Sequence, residues 1–289
     1  MNSDLNKIGI GTAQFGIDYG IANDEGIVTK KHVNKILDCA KQNKINLIDT
    51  AKSYGSSEEI LGKYFSENSI YSWNIVTKID NVSKDLEDQL AHSENMLNHD
   101  VNTVLAHSHE VYLNEQFLNN ISKLKDLNKI KKFGVSCYTE SEIKLIMESS
   151  LRPDIIQIPI NILDTRLLRS GMLKYLKTES VEIHARSIFL QGLLHMDEKF
   201  WYKNFKSAYD VLIYLKSIAD QYNLTLADMS LLWVLDLSLI DRVIIGVDNY
   251  YQFLSNVELV KKNINVSFSD KVLNHSFDDV NVLNPSLWN

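Results

Sequence analysis

Eight short apolar runs recur along the chain, and each is followed by a segment whose apolar residues return at helical spacing. The runs are residues 7–12 (KIGIGT), 45–48 closed by Asp49, 73–78 (WNIVTK), 102–107 (NTVLAH), 132–136 (KFGVS), 154–159 (DIIQIP), 182–187 (EIHARS) and 242–246 (RVIIG). Val33, Ile36, Leu37 and Ala40 mark a helix over 29–43, and a second runs over 57–64. Leu86, Leu90, Ser93 and Leu97 mark the next, with Ser83 placed to cap it. Phe117, Ile121 and Leu124, then Ile143, Ile146 and Met147, mark two more. A weaker stretch runs through Leu168 and Leu176, and segments 207–222 and 226–235 follow a long insert at 193–205. Phe253, Val257 and Val260 mark the last helix, and the tail after 263 reads as irregular or weakly helical. Two helix starts carry the capping-box pattern, Ser56 with Glu59 and Thr139 with Glu142. Eight such units over about 250 residues, with no linker between them, predict an α/β protein, one (β/α)8 TIM barrel domain over 1–289. The rival is a doubly wound sheet, but no GxGxxG follows the first run.

In a barrel the carboxyl ends of the strands converge on one mouth, where chemistry is housed. The residues closing successive runs are Asp49 (with Tyr54 just beyond), Lys78, His107, Ser136, Gln157, Arg186 with Ser187, and Gly246. An Asp49–Lys78 pair keeps the lysine charged, and an ammonium beside Tyr54 favours the phenolate. Tyr54 then gives and recovers a proton, while His107 hydrogen-bonds and orients a carbonyl. Each residue alone has an ordinary explanation. An Asp after a strand is often a turn former. Lys78 can be a structural ion-pair partner or a Schiff-base nucleophile, and a lone histidine is more often structural. The four together outweigh those readings.

Composition narrows the class further. A net charge of −7 over 289 residues argues against a nucleic-acid ligand, which needs a basic face. No apolar run approaches the roughly 18–20 residues of a membrane span. The first residues are polar and hold no signal core, which predicts a cytoplasmic protein. Cys39 and Cys137 are too few for a disulfide framework, so both are expected reduced, with Cys39 packed in a helix face. His184 and His195 lack ligand-like spacing, and no metal is expected.

Taken together, the motifs resemble the aldo-keto reductase superfamily of NAD(P)-dependent barrel oxidoreductases. The resemblance runs from GIGTAQFG at Gly9 to GVDNYYQFLSN ending at Asn256. It rests on DTAKSYGSSE at 49–58, Thr77-Lys78 at the next strand end, His107, GVSC at 134–137 and Gln157. It implies hydride transfer between a nicotinamide cofactor and a small carbonyl or alcohol, in a monomer. Asp49, Tyr54, Lys78 and His107 are then the catalytic tetrad, with Tyr54 the general acid. Ser136 and Gln157 hold the nicotinamide carboxamide. Gly11, Thr12, Arg186, Ser187, Leu190, Gly192, Gly246, Asp248, Gln252 and Asn256 complete the implied cofactor site. Phe15, Tyr19, Phe189 and Trp201, with Tyr202, are expected to wall the substrate pocket. Bacterial relatives sharing the GTAQFGxDYGIAN and RSxFLQG stretches look like members of sugar and surface-polysaccharide pathways, which points to a sugar-derived carbonyl. If that sugar carries phosphate, Arg186 or Arg166 is placed to meet it.

Three positions depart from the family pattern. Arg186 stands where many relatives carry the aromatic that stacks on the nicotinamide. A guanidinium can stack there, disfavour the oxidised ring, serve an anionic substrate, or pair with a carboxylate. Cys137 replaces the Asn of GVSN, which removes one expected carboxamide contact. The segment 246–252 has no Lys or Arg to clamp a 2′-phosphate, and its Asp248 suits a ribose hydroxyl, so NADH is expected over NADPH. Two other readings stay open: a lyase or isomerase using Lys78 as an amine nucleophile, and a regulatory or binding protein on the same scaffold.

Overall fold

Eight parallel strands close on themselves in sequence order, β1 to β8, with β8 returning to pair with β1. They are β1 (Ile8–Gly11), β2 (Leu47–Asp49), β3 (Asn74–Ile79), β4 (Thr103–Ala106), β5 (Lys132–Ser136), β6 (Ile155–Pro159), β7 (Glu182–Arg186) and β8 (Arg242–Ile245). The doubly wound alternative is thereby excluded. The molecule is represented by a computed structural model, which describes residues 3–68, 71–82, 85–264 and 267–288.

Side chains alternate across each strand with period two, and that alternation builds the mouth. Leu47, Val76, Leu105, Ile155 and Ile244 form an apolar cluster of their own, apart from the main core. This cluster fills the barrel interior. Gly9 belongs to the same layer, for a Cβ there would lie 2.7 Å from the side chains of both Leu47 and Ile244. The odd-phase residues, among them Ile48, Ile75, Val104, Val135, Ile156 and Val243, pack outward in the large core with the helices. Gly134 and His184 hold the interior phase on β5 and β7, and two residues beyond these eight interior positions come Gly11, Asp49, Lys78, His107, Ser136, Gln157, Arg186 and Gly246. The sealed interior is thus the floor on which one residue from every strand is set.

The helices follow from the apolar spacing. Lys30–Gln42 buries Val33, Ile36, Leu37, Cys39 and Ala40, and Thr29 caps its start. Thr139 and Glu142 form the expected capping box on Glu140–Met147. The expected box at Ser56 does not form: Ser56 holds the N-cap position of Ser57–Glu67 without a side-chain hydrogen bond. Its backbone lies at φ −87°, ψ 9°, not in the extended region from which a cap side chain reaches N3. Glu59 instead pairs with Lys63 one turn on, at 2.7 Å. Ser83 lies outside the described residues, and Asp85 accepts from the backbone N–H of Glu87 and Asp88 at the start of Leu86–Leu97. The segment between β1 and the helix Lys30–Gln42 opens with a helical turn, Ala13–Gly16. The insert after β7 folds into a 3-10 segment, Leu190–His195, and a short helix, Glu198–Asn204.

Candidate functional site

A cavity of about 510 Å³ opens at the carboxyl end of the barrel. Within the range of small-molecule sites, it runs from Tyr54 and His107 to Asp248 and Gln252.

At one end stands Lys78, 1% exposed, beside Asp49, 3% exposed. The ammonium has three N–H donors, and three oxygens receive them. These are Asp49 Oδ1 at 2.5 Å, the Thr50 carbonyl at 3.1 Å and the Tyr54 phenol at 3.4 Å. Burial alone works against the charged lysine, but the Asp49 carboxylate and Tyr54 outweigh it and Lys78 titrates above the ordinary lysine range. The second oxygen of Asp49 accepts from Gln157 Nε2 at 2.7 Å. Tyr54 meets the His107 ring edge to face, 5.9 Å between centroids.

His107 is pushed down to about 4, first by burial and then by the Lys78 charge. Its ring is therefore neutral at pH 7, with Nδ1 3.2 Å from the Ser53 hydroxyl. A second layer holds this group in place. Thr12 Oγ1 donates to the Asp49 carbonyl at 3.1 Å, Ser57 Oγ donates to Thr12 Oγ1 at 2.8 Å, and Thr77 donates to the buried Glu58 carboxylate at 2.7 Å.

Arg186 spans from β7 to β5. Its Nε donates to Ser136 Oγ at 3.1 Å, and its terminal nitrogens donate to Ser187 Oγ and the Cys137 carbonyl, each at 3.2 Å. One face of the guanidinium lies 4.1 Å from the Tyr138 ring centroid. The carboxylate pairing considered for Arg186 is not found among the described residues; a neighbouring aromatic takes its place. Cys137 turns its side chain into the core, where burial raises the thiol, so only its carbonyl serves the site.

At the far end, the Asp248 carboxyl is raised by burial, while hydrogen bonds from Gln252 and Gln14 pull the other way. Gln252 Nε2 is 3.1 Å from Asp248 Oδ2. The loop after β1 and the loop after β7 meet over the cavity: Ile21 N–H donates to the Gln191 carbonyl at 2.9 Å, and Gln191 Nε2 donates to the Tyr19 phenol at 2.9 Å.

Most residues singled out in the sequence line this cavity: Asp49, Tyr54, His107, Gly11, Thr12, Ser136, Gln157, Arg186, Ser187, Gly192, Gly246, Asp248, Gln252, Tyr19 and Phe189. Lys78 lies just behind them. Phe15, Leu190 and Trp201 do not line it but are buried in the core, with Trp201 Nε1 bonded to the Leu193 carbonyl. Asn256 is on the helix Tyr250–Lys261, away from the lining, and Tyr202 is largely exposed. Sequence reasoning did not assign Gln14, Asn23, Ser53, Tyr138, Gln191, His195 or Ser286 to the site, and all of them line the cavity from segments that connect or follow the strands. Gln14 and Ser53 stand inside the stretches that carry the resemblance, and Tyr138 sits two residues past a strand end. Arg166 lies in a neighbouring cavity, held bidentate by Asp164 at 2.8 Å. Among the described residues no cluster of His, Cys, Asp or Glu is arranged to hold a metal, and no helix is long and apolar enough to cross a membrane.

Residues 7–274 match the model of the aldo/keto reductase family. No curated protein matches the chain in sequence. Several solved structures share its fold. A holo-form aldo-keto reductase from Bacillus halodurans is 18% identical, with 94% of this chain and 93% of that one covered and a TM-score of 0.75. A glycerol dehydrogenase from Gluconobacter oxydans is 20% identical, with 94% and 93% covered and a TM-score of 0.68. An aldo/keto reductase from Klebsiella pneumoniae in complex with NADP and acetate is 16% identical, with 92% and 89% covered and a TM-score of 0.69.

Proposed function

The chain belongs to the aldo/keto reductase family, oxidoreductases that use nicotinamide cofactors on small carbonyl substrates, and from this premise we propose Asp49, Tyr54, Lys78 and His107 as its catalytic tetrad. The observation that carries the reading is the three-oxygen cage around the Lys78 ammonium, with the Tyr54 phenol as its third member. Lys78 donates to the phenol oxygen, which leaves the phenol's own O–H free to give its proton to a carbonyl oxygen. The ammonium then stabilises the phenolate left behind, and Asp49 keeps the ammonium charged. A Ser53 hydroxyl donating to Nδ1 of neutral His107 leaves Nε2–H as a donor that orients the carbonyl.

The residues present suit the cofactor. When bound, it supplies the hydride. Ser136 keeps its hydroxyl hydrogen and Gln157 its side-chain carbonyl, a donor and an acceptor that match a carboxamide. Asp248, with no Lys or Arg beside it in the lining, suits a ribose hydroxyl better than a phosphate, and NADH is the preferred cofactor. The polar lining of Asn23, Ser53, Gln191 and Ser286 suits a polyhydroxy, sugar-like substrate. We assign the whole chain to one catalytic domain, acting as a cytoplasmic monomer. The lyase reading loses its support, since a Schiff-base lysine must shed its proton and Lys78 is raised and enclosed. A regulatory role has no use for the full cage.

Titration with NADH and NADPH, followed by a carbonyl screen, tests the reading. Tyr54→Phe is expected to keep NADH affinity within about threefold and to lose at least about 10²-fold in kcat. Turnover preserved in Tyr54→Phe overturns the tetrad, and tighter binding of NADPH overturns the cofactor preference alone.

A further inference from the structure

The lining of the main cavity contains one Arg or Lys side chain among the described residues, and that is Arg186. Its acidic members are Asp49, already bound to Lys78, and Asp248 at the opposite end. Arg186 is half-buried and has no carboxylate within ion-pair distance among the described residues. Charges withdrawn from water are ordinarily paired, and an exception calls for an explanation.

The guanidinium carries five N–H donors in one plane. Ser136, Ser187 and the Cys137 carbonyl receive three of them, which leaves two without an acceptor among the described residues. Tyr138 covers one face. Stacking a further ring on the other face would satisfy neither open donor, because both point within the plane. A carboxylate or phosphate satisfies both at once, through two parallel bonds.

Position favours a substrate as the source of that anion. Arg186 reaches past β6 to Ser136 on β5, and β5 pairs with β4, the strand that His107 directly follows. Its charge is among those that oppose protonation of His107. Glu142, the acidic group behind Cys137, is committed to the backbone N–H groups of Tyr138 and Thr139.

Resting on the reductase reading above, we infer that Arg186 recognises a negatively charged group, carboxylate or phosphate, carried by the substrate close to its reacting carbonyl. The enzyme then selects anionic carbonyl compounds over neutral ones with the same number of carbons.

Two matched pairs test this with NADH saturating: succinic semialdehyde against butanal, and glyceraldehyde 3-phosphate against glyceraldehyde. The preferred pair identifies the anion. The charged member is expected to have a KM at least tenfold lower. Arg186→Met and Arg186→Gln should erase that difference by raising KM for the charged member at least tenfold more than for its neutral partner, over any loss common to both, and Arg186→Lys should restore part of it. Calorimetric titration of acetate, inorganic phosphate and neutral acetamide into the protein, with and without NADH, gives a readout that needs no turnover. At least one anion should bind wild type at least tenfold more tightly than Arg186→Met, and acetamide should not discriminate. If charged and neutral members are handled alike, or neither anion binds, the inference fails. It also fails if the Arg186 variants lose NADH affinity equally with all substrates, which would assign the guanidinium to the cofactor ring. Anion binding through Arg186 without turnover of any carbonyl would sink the reductase reading and leave the anion site standing.

Discussion

Asp49 and Lys78 share a hydrogen bond of 2.5 Å in a place almost closed to water, and neither carboxylate oxygen of Asp49 is spare, since the other accepts from Gln157. Asp49→Asn would set an amide N–H against one of these two donors, and Asp49→Ala would leave a buried ammonium without its counter-charge. Each is expected to cost about 3–5 kcal/mol of stability, the usual penalty for breaking a buried pair from one side. Denaturant unfolding measures it. A loss under 1 kcal/mol would mean that the ammonium is hydrated and the cage open.

Gly16 packs against the loop that carries Tyr54. A Cβ at this position would fall 1.9 Å from the Tyr54 carbonyl oxygen and 2.4 Å from the Ser57 nitrogen, and both are backbone atoms that cannot swing aside. Gly16→Ala is therefore expected to displace Tyr54 from Lys78. The expected result is a melting temperature lower by several degrees and a kcat at least tenfold lower, with NADH affinity changed less. Unaltered kcat in a folded Gly16→Ala variant would show that the Tyr54 loop tolerates the shift.

The strand-end set was legible because period two leaves little freedom. Once 45–48 is a strand with Leu47 inward, Asp49 must follow it to the mouth, and the same holds for Lys78, Ser136, Gln157 and Arg186. Loops obey no such rule. Phe15 and Trp201 are large aromatics on connecting segments, and burying them stabilises the fold more than lining a wet cavity would. Gln14 and His195 reach the cavity from short helical turns inside the connecting segments, whose placement no spacing encodes. The Ser56 cap failed for a similar reason. The tight turn through Gly55, at φ 57°, sets the backbone before the side chain can.

At the opposite end of the barrel, Glu182 is held down to about 2, first by its hydrogen bond with His184 at 2.9 Å and then by Lys132. The folded value lies below the ordinary glutamate value of about 4.3. Its contribution is therefore complete above pH ~4.3 and lost as pH falls towards 2. Glu182→Gln should lower stability at pH 7 by roughly 2–3 kcal/mol and flatten the acid limb below pH ~4. An acid unfolding curve unchanged by the substitution would mean that the carboxylate is free in solution.

His107 gives a pH dependence of different origin. The folded value near 4 lies below the unfolded reference of about 6.5. The unfolded chain therefore takes up a proton first as pH falls, so this group costs stability progressively from pH ~6.5 down to ~4 and nothing above. His107→Gln should remove that slope while leaving the Glu182 limb in place. Activity should follow the same logic. A ring that stays neutral holds one state across pH 5–8, so kcat should show no inflection near 6.5 that belongs to His107. A wild-type inflection at 6.5, absent from His107→Gln, would mean that the imidazole titrates in the working range. It would then serve as a proton carrier and not as a fixed donor.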